Sequence, residues 1–162
     1  SDVGKELITG LLSSGDFFGH IPLIENVVYD EFAETLESSS IRVIPRKEFE
    51  ELISNNHEIA LKVIKLLAND ISEKEQQLVA LAYHSLRKRV ADALLTLKKK
   101  YDSEKNGHFS IAISREDLAN IAGTATESLI RTLSDFKAEK LIEIKDGKIT
   151  ILEEKKLAQL FN

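Results

Sequence analysis

Residues 114–137 read SREDLANIAGTATESLIRTLSDFK, and the reading of this stretch decides the fold. It predicts two short helices joined at Ala122-Gly123-Thr124. The first starts at Arg115, with Ser114 as N-cap and Asp117 three residues on, a near match to a capping box with Asp where Glu or Gln is usual. Leu118, Ala119, Ile121 and Ala122 recur at helical spacing, and Gly123 can end the helix in a left-handed conformation without a Cβ penalty. In the second helix Leu129, Ile130, Leu133 and Phe136 (i, i+1, i+4, i+7) are expected on one apolar face. The other face carries Thr126, Glu127, Ser128 and Arg131. This is the pattern of a helix-turn-helix, in which an apolar stripe holds the second helix while short polar side chains and an Arg face outward. Such side chains suit base edges, since Arg pairs in bidentate fashion with guanine and Glu accepts from cytosine N4. Taken alone, the stretch fits an ordinary helical hairpin with a solvated face equally well.

The residues that follow favour the first reading. Leu141-Ile142-Glu143-Ile144 and Lys148-Ile149-Thr150-Ile151 are short β-prone runs on either side of Lys145-Asp146-Gly147, and Asp-Gly between such runs is a strong hairpin signal. A helix-turn-helix followed by a tight hairpin is a winged helix. Lys145 and Lys148 flank the turn where a wing would meet phosphates.

Working outward, a helix is expected from Ser85 to before Asp102, packing Val90, Ala93, Leu94 and Leu97. Glu104–Gly107 reads as a loop and His108–Ile113 as a strand. Glu153–Phe161 reads as a terminal helix. Ahead of Ser85 lies a long helix, His57 to Tyr83. A heptad fits it, with a at His57, Ile64, Ile71 and Leu78 and d at Ala60, Leu67, Lys74 and Leu81; six of these eight positions are apolar, enough for a seam interrupted near Lys74. Ile64, Leu67, Ile71, Leu78 and Leu81 are the expected dimer contacts. Val63, Leu66 and Val79 leave open a helix packed on its own domain. Residues 46–55 read as a short helix with Phe49, Leu52 and Ile53 inward. Residues 1–45 read as β-rich and turn-rich, with a turn at Ser13–Asp16 and extended runs over Tyr29–Leu36 and Ile41–Ile44, the latter stopped by Pro45. The irregular spacing and the opening Ser-Asp-Val-Gly suggest a piece of a longer chain.

The net charge of −5 is unevenly spread. Residues 1–84 hold 7 Lys/Arg against 15 Asp/Glu, whereas residues 85–150 hold 13 against 10. An acidic front and a basic rear fit a chain in which only one lobe meets a polyanion. There are no cysteines, so disulfides, thiolate zinc sites and Cys-ligated iron–sulfur clusters are excluded within these residues. No signal peptide and no run of about 18 apolar residues is visible, which points to a cytoplasmic protein without a membrane partner. His20, His57, His84 and His108 share no i, i+3 or i+4 spacing and are read as surface or loop residues rather than metal ligands. No P-loop, GxSxG or HExxH motif occurs, so no catalytic residue and no cofactor is assigned.

With these residues in view, the chain resembles the Crp/Fnr superfamily of bacterial transcription regulators over essentially its whole length. Gly15-Asp16-Phe17-Phe18-Gly19 is similar to the Gly-Asp-x-x-Gly turn of its cyclic-nucleotide-binding β-roll. Residues 46–55 resemble the short helix before its dimerisation helix, and residues 89–97 the helix that opens its DNA-binding domain. Ser114-Arg115-x-Asp117-Leu118-Ala119 and Glu127-Ser128-x-x-Arg131 resemble its helix-turn-helix and are the specific part of the match. The resemblance implies an α+β fold: a partial β-roll of the jelly-roll (double-stranded β-helix) type over 1–56, a long dimerisation helix and hinge over 57–84, and a C-terminal winged helix-turn-helix over 85–162. It implies a homodimer on a palindromic operator in double-stranded DNA, with RNA polymerase as a further partner. Thr126, Glu127, Ser128 and Arg131 would contact bases. Ser114 and Arg115, with Lys145 and Lys148, would contact phosphates. The sensor half departs from the family pattern. Gly19 precedes His20 where nucleotide-binding relatives have a Glu for the ribose, and Tyr29-Asp30-Glu31 stands where an Arg-Ser pair holds the phosphate. An acidic cluster repels a cyclic phosphate, so the effector is expected not to be cyclic AMP. Nothing in these residues specifies a haem. A dimeric sensor or interaction module that has lost DNA binding is the alternative function.

Overall fold

The computed structural model describes residues 7–36, 38–102 and 109–160. The chain divides into two compact units, Gly15–Glu73 and a second formed by Ser1–Ser14 with Lys74–Asn162.

The second unit is built around α4 (Leu86–Tyr101). Ser85 caps it by accepting from the Lys88 N–H at 3.3 Å, and Lys98, Lys99 and Lys100 lie in its last turn, where positive charge complements the helix dipole. Val90, Leu94 and Leu97 are fully buried along one stripe. Against them pack α5 (Arg115–Ala122), α6 (Thr126–Ala138) and α7 (Glu154–Ala158). Leu118, Leu129, Leu133, Phe136 and Leu157 complete a single core. Arg87 closes its edge, lying 4.9 Å from the Phe136 ring centroid while Nη2 donates to Glu139 at 2.8 Å.

A three-stranded antiparallel sheet covers the remaining side. β1 (Ser110–Ile111), β2 (Ile142–Lys145) and β3 (Lys148–Ile151) lie in the order β1-β3-β2, with Ile144 opposite Ile149 and Lys145 opposite Lys148. Asp146 and Gly147 both take positive φ, 51° and 79°, as the expected two-residue hairpin turn requires. Strand β1 is shorter than the 108–113 run, and His108 lies outside the described residues. So do the expected loop at Glu104–Gly107 and Phe161; the expected 153–161 helix is shorter, ending at Ala158.

The first unit holds α1 (His20–Glu25), α2 (Arg46–Asn55) and the N-terminal part of α3 (His57–Tyr83). Its departures from expectation are informative. Residues 20–25 form a helix inside the stretch expected to be β-rich and turn-rich; Pro22 sits in the first turn, where no intrahelical donor is lost. Among the described residues, the β-prone runs 29–36 and 41–44 form no ladder, and Val28, Phe32 and Val43 are 89%, 78% and 82% exposed. Such a run becomes a strand only when another backbone takes up its N–H and C=O groups, and none here does. In α2 Phe49 is buried, but Leu52 is exposed. Phe49 stacks on Phe17 at 5.5 Å, and Phe17 stacks at the same distance on His20.

Helix α3 has the expected bounds. Asn56 caps it, its Oδ1 accepting from the Ile59 N–H at 3.1 Å. No α3 residue is buried within this chain, and Ile64, Ile71 and Leu78, seven residues apart, are 60–65% exposed. At the interruption of the heptad, Lys74 Nζ donates to the Thr9 carbonyl.

Candidate nucleic-acid interface

The interface begins at the turn between α5 and α6. Ser114 Oγ accepts from the Asp117 N–H at 2.9 Å and donates to the Asp117 carboxylate at 2.6 Å, so one side chain starts α5 and is held by the residue it caps. Gly123, with φ 62°, ends the helix. Thr124 N–H reaches back to the Ala119 carbonyl at 3.0 Å, which fixes the direction in which α6 sets off.

Leu129, Thr132, Leu133 and Phe136 form the buried stripe of α6 (i, i+3, i+4, i+7). Thr132 takes the place expected of Ile130; its hydroxyl is satisfied by donating to the Ser128 carbonyl at 3.0 Å. Ile130 is 47% exposed. The sequence pattern put both Leu129 and its neighbour Ile130 on the apolar face. A helix advances about 100° per residue, so packing chose the one set that shares a stripe.

Opposite that stripe stand Glu127 and Arg131, both exposed, one turn apart. Thr126 and Ser128 are half-buried at the margins. The phosphate candidates fall into two groups. Arg115 is half-buried and reaches across to the hairpin, its Nη2 donating to the Gly147 carbonyl and its Nη1 to the Ile113 carbonyl, each at 3.4 Å. Lys145 and Lys148 are exposed and directly opposite each other at the hairpin end. Ser114 is exposed, with its hydroxyl engaged in the cap. Arg115 thus joins the first helix to the wing and brings three cationic side chains to one end of the domain.

The basic run at 87–100 has a different use. Besides Arg87, Lys88 pairs with Asp92 at 3.1 Å and donates to the Ala158 carbonyl at 3.0 Å, and Lys98 pairs with Glu154 at 2.7 Å. These cations tie α4 to α6 and α7, so much of the charge asymmetry of this segment is internal.

The histidines correct the surface-or-loop expectation in part. His20 is buried, with Nε2 3.0 Å from Asp70 Oδ2 in an approach not aligned as a hydrogen bond. His84, half-buried at the α3–α4 junction, has Nδ1 3.2 Å from Asp92. Asp70 lies fifty residues from His20 and Asp92 eight from His84, spacings that carry no helical i, i+3 or i+4 signature. Among the described residues no group of three metal-ligating side chains occurs, and no helix is long and apolar enough to cross a membrane.

A cyclic nucleotide-binding domain model matches residues 1–56, and a Crp-like helix-turn-helix domain model matches residues 88–160. The chain is 25% identical over 162 residues to the fumarate and nitrate reduction regulatory protein of Yersinia pestis, covering 99% of this chain and 64% of that protein. It is also 25% identical to the transcriptional activator protein anr of Pseudomonas aeruginosa, covering 99% of this chain and 66% of that protein. It therefore spans a little less than two thirds of the length of these relatives. Among solved structures it resembles a transcriptional regulator of the crp/fnr family from Eubacterium rectale, with TM-score 0.57 and 30% identity over 71% of this chain and 51% of that one. The c-di-GMP responsive global regulator CLP of Xanthomonas campestris shares the fold, with TM-score 0.69 over 93% of this chain and 76% of that one at 19% identity.

Proposed function

Because the chain belongs to the Crp/Fnr superfamily, we propose that it acts as a dimeric, sequence-specific DNA-binding regulator of transcription. The observation that carries this reading is the outward face of α6: Glu127 and Arg131 stand exposed opposite a fully buried stripe, on a helix whose start is set by the Gly123 turn. An exposed guanidinium and carboxylate one turn apart can each pair with a base edge and brace one another. Thr126 and Ser128 border that face and complete the base-contacting set, while Ser114, Arg115, Lys145 and Lys148 serve the phosphates on either side.

In this proposal residues 1–56 form part of the sensor domain, 57–84 the dimerisation helix and hinge, and 85–162 the DNA-binding domain. The exposed heptad positions Ile64, Ile71 and Leu78 support a dimer through α3, with Leu67 and Leu81 beside them. Two copies then present their α6 helices about 34 Å apart to successive major grooves of a palindrome. The role is binding rather than catalysis, in the cytoplasm, with RNA polymerase as the partner that reads the bound state. His20, buried against Phe17 and close to Asp70, stands where nucleotide-binding relatives offer a ribose ligand, and this supports an effector other than cyclic AMP.

Selection of bound sequences from a random duplex pool tests the proposal. A two-fold symmetric consensus is expected. Failure of the purified dimer to enrich any sequence would overturn it and favour an interaction module without DNA binding.

A further inference from the structure

Ile130 is the residue of α6 that neither the core nor the polar pairing accounts for. It is a large β-branched apolar side chain, 47% exposed, on a helix that has a complete buried stripe without it. It lies one turn beyond Thr126 and Glu127 and immediately before Arg131, on the flank of the face these residues present. Its neighbour one turn on, Ser134, spends its hydroxyl proton on the Ile130 carbonyl at 2.8 Å. The face therefore offers a carboxylate, a guanidinium and, between them and the Thr126 side, one apolar group.

The major-groove edges of the four bases include a single apolar feature, the 5-methyl group of thymine. Cytosine in the same place presents an N4 amino donor, which a sec-butyl group desolvates without accepting from it. We propose that Ile130 is a specificity-determining residue: it packs on one thymine methyl in each half-site and selects thymine over cytosine there. This rests on the DNA-reading role of α6 proposed above and adds to it a base that no polar side chain reads.

The test uses deoxyuridine, which lacks only the methyl group and keeps every hydrogen-bonding group of thymine. The palindrome selected by the wild-type chain is made with each thymine replaced singly by deoxyuridine, and affinities are measured by fluorescence anisotropy. One thymine per half-site is expected whose replacement weakens wild-type binding roughly fourfold, the value of one buried methyl. Ile130→Ala is expected to bind the methylated and demethylated duplexes at that position nearly equally, and Ile130→Val to recover part of the difference. Both variants should fold, since the side chain lies outside the core and Ala is the better helix former; a denaturant melt checks this. If no thymine shows a methyl effect, or if the effect persists in Ile130→Ala, the assignment to Ile130 is overturned while the DNA-binding role stands. If the pool yields no preferred duplex at all, both fall together.

Discussion

Leu81, near the C-terminal end of α3, holds its Cδ2 where a Cβ on Gly123 would have to go. The helix-turn-helix turn is therefore constrained twice, by its own backbone conformation and by a side chain from a different helix. Gly123→Ala should destabilise the domain through both: about 1–2 kcal/mol for a left-handed residue with a Cβ and a smaller amount for moving the end of the half-buried Leu81 side chain aside. In a Leu81→Ala background only the backbone part should remain. Urea denaturation of the four proteins of this cycle separates the two, and equal losses in both backgrounds would remove Leu81 from the account.

Ser114 starts α5 through a single hydroxyl that both accepts from and donates to Asp117. Ser114→Ala should cost about 1 kcal/mol, and Ser114→Thr should keep most of the cap. The expected effect on DNA affinity is larger for Ala than for Thr, because a frayed α5 loosens the turn that aims α6. Thermal melts and anisotropy titrations on the same two variants check the order.

Lys145 and Lys148 lie directly opposite each other across the hairpin end. Like charges in that position are mildly destabilising without a counter-charge. Lys148→Thr should therefore raise the stability of the free protein by about 0.2–1 kcal/mol while weakening binding to all duplexes alike. With one lysine lost from each protomer, the slope of log affinity against log salt should fall by about 2. A loss of stability, or a sequence-dependent loss of affinity, would argue for a packing or base-reading role instead.

Arg131→Ala and Glu127→Ala should behave in the opposite way. Each should relax discrimination at one base pair of the half-site, by about 1–3 kcal/mol, with little change in stability because both side chains are exposed. Competition titrations against duplexes altered at single positions provide the readout. Uniform weakening on every sequence would reassign these residues to phosphate contacts.

On α3, Ile64 and Ile71 are 60% and 61% exposed in the single chain. Burying each against a second copy is worth about 2 kcal/mol, so changing either to Lys in both protomers should raise the dimer dissociation constant by about three orders of magnitude. Sedimentation equilibrium is the direct measurement. Val63→Ala, at a half-buried position on another face, should leave the association state unchanged.

The elements read correctly from the chain were those whose signal is local. The bounds of α3 follow from an unbroken apolar period and the Asn56 cap. Helix α5 follows from Ser114 and Gly123, and the hairpin from Asp-Gly between two β-prone runs. A cap, a turn and a helical period involve residues within about one turn of each other, so their energetics are already present in the order of side chains.

What needed the folded molecule were choices between residues that look alike in sequence. The core took Thr132 and left Ile130 outside, because a stripe can accept only side chains that share one side of the helix. Arg87 and Lys98 of α4 went to Glu139 and Glu154 rather than to solvent, and His20 found Asp70, pairings that depend on which segments lie side by side. The runs at 29–36 and 41–44 have the side chains of strands, but a strand is completed by another backbone, and residue order alone does not supply one. Local order thus determined which segments coil and where they turn, while tertiary contacts decided which face each helix turns inward and which polar side chains stay available to a partner.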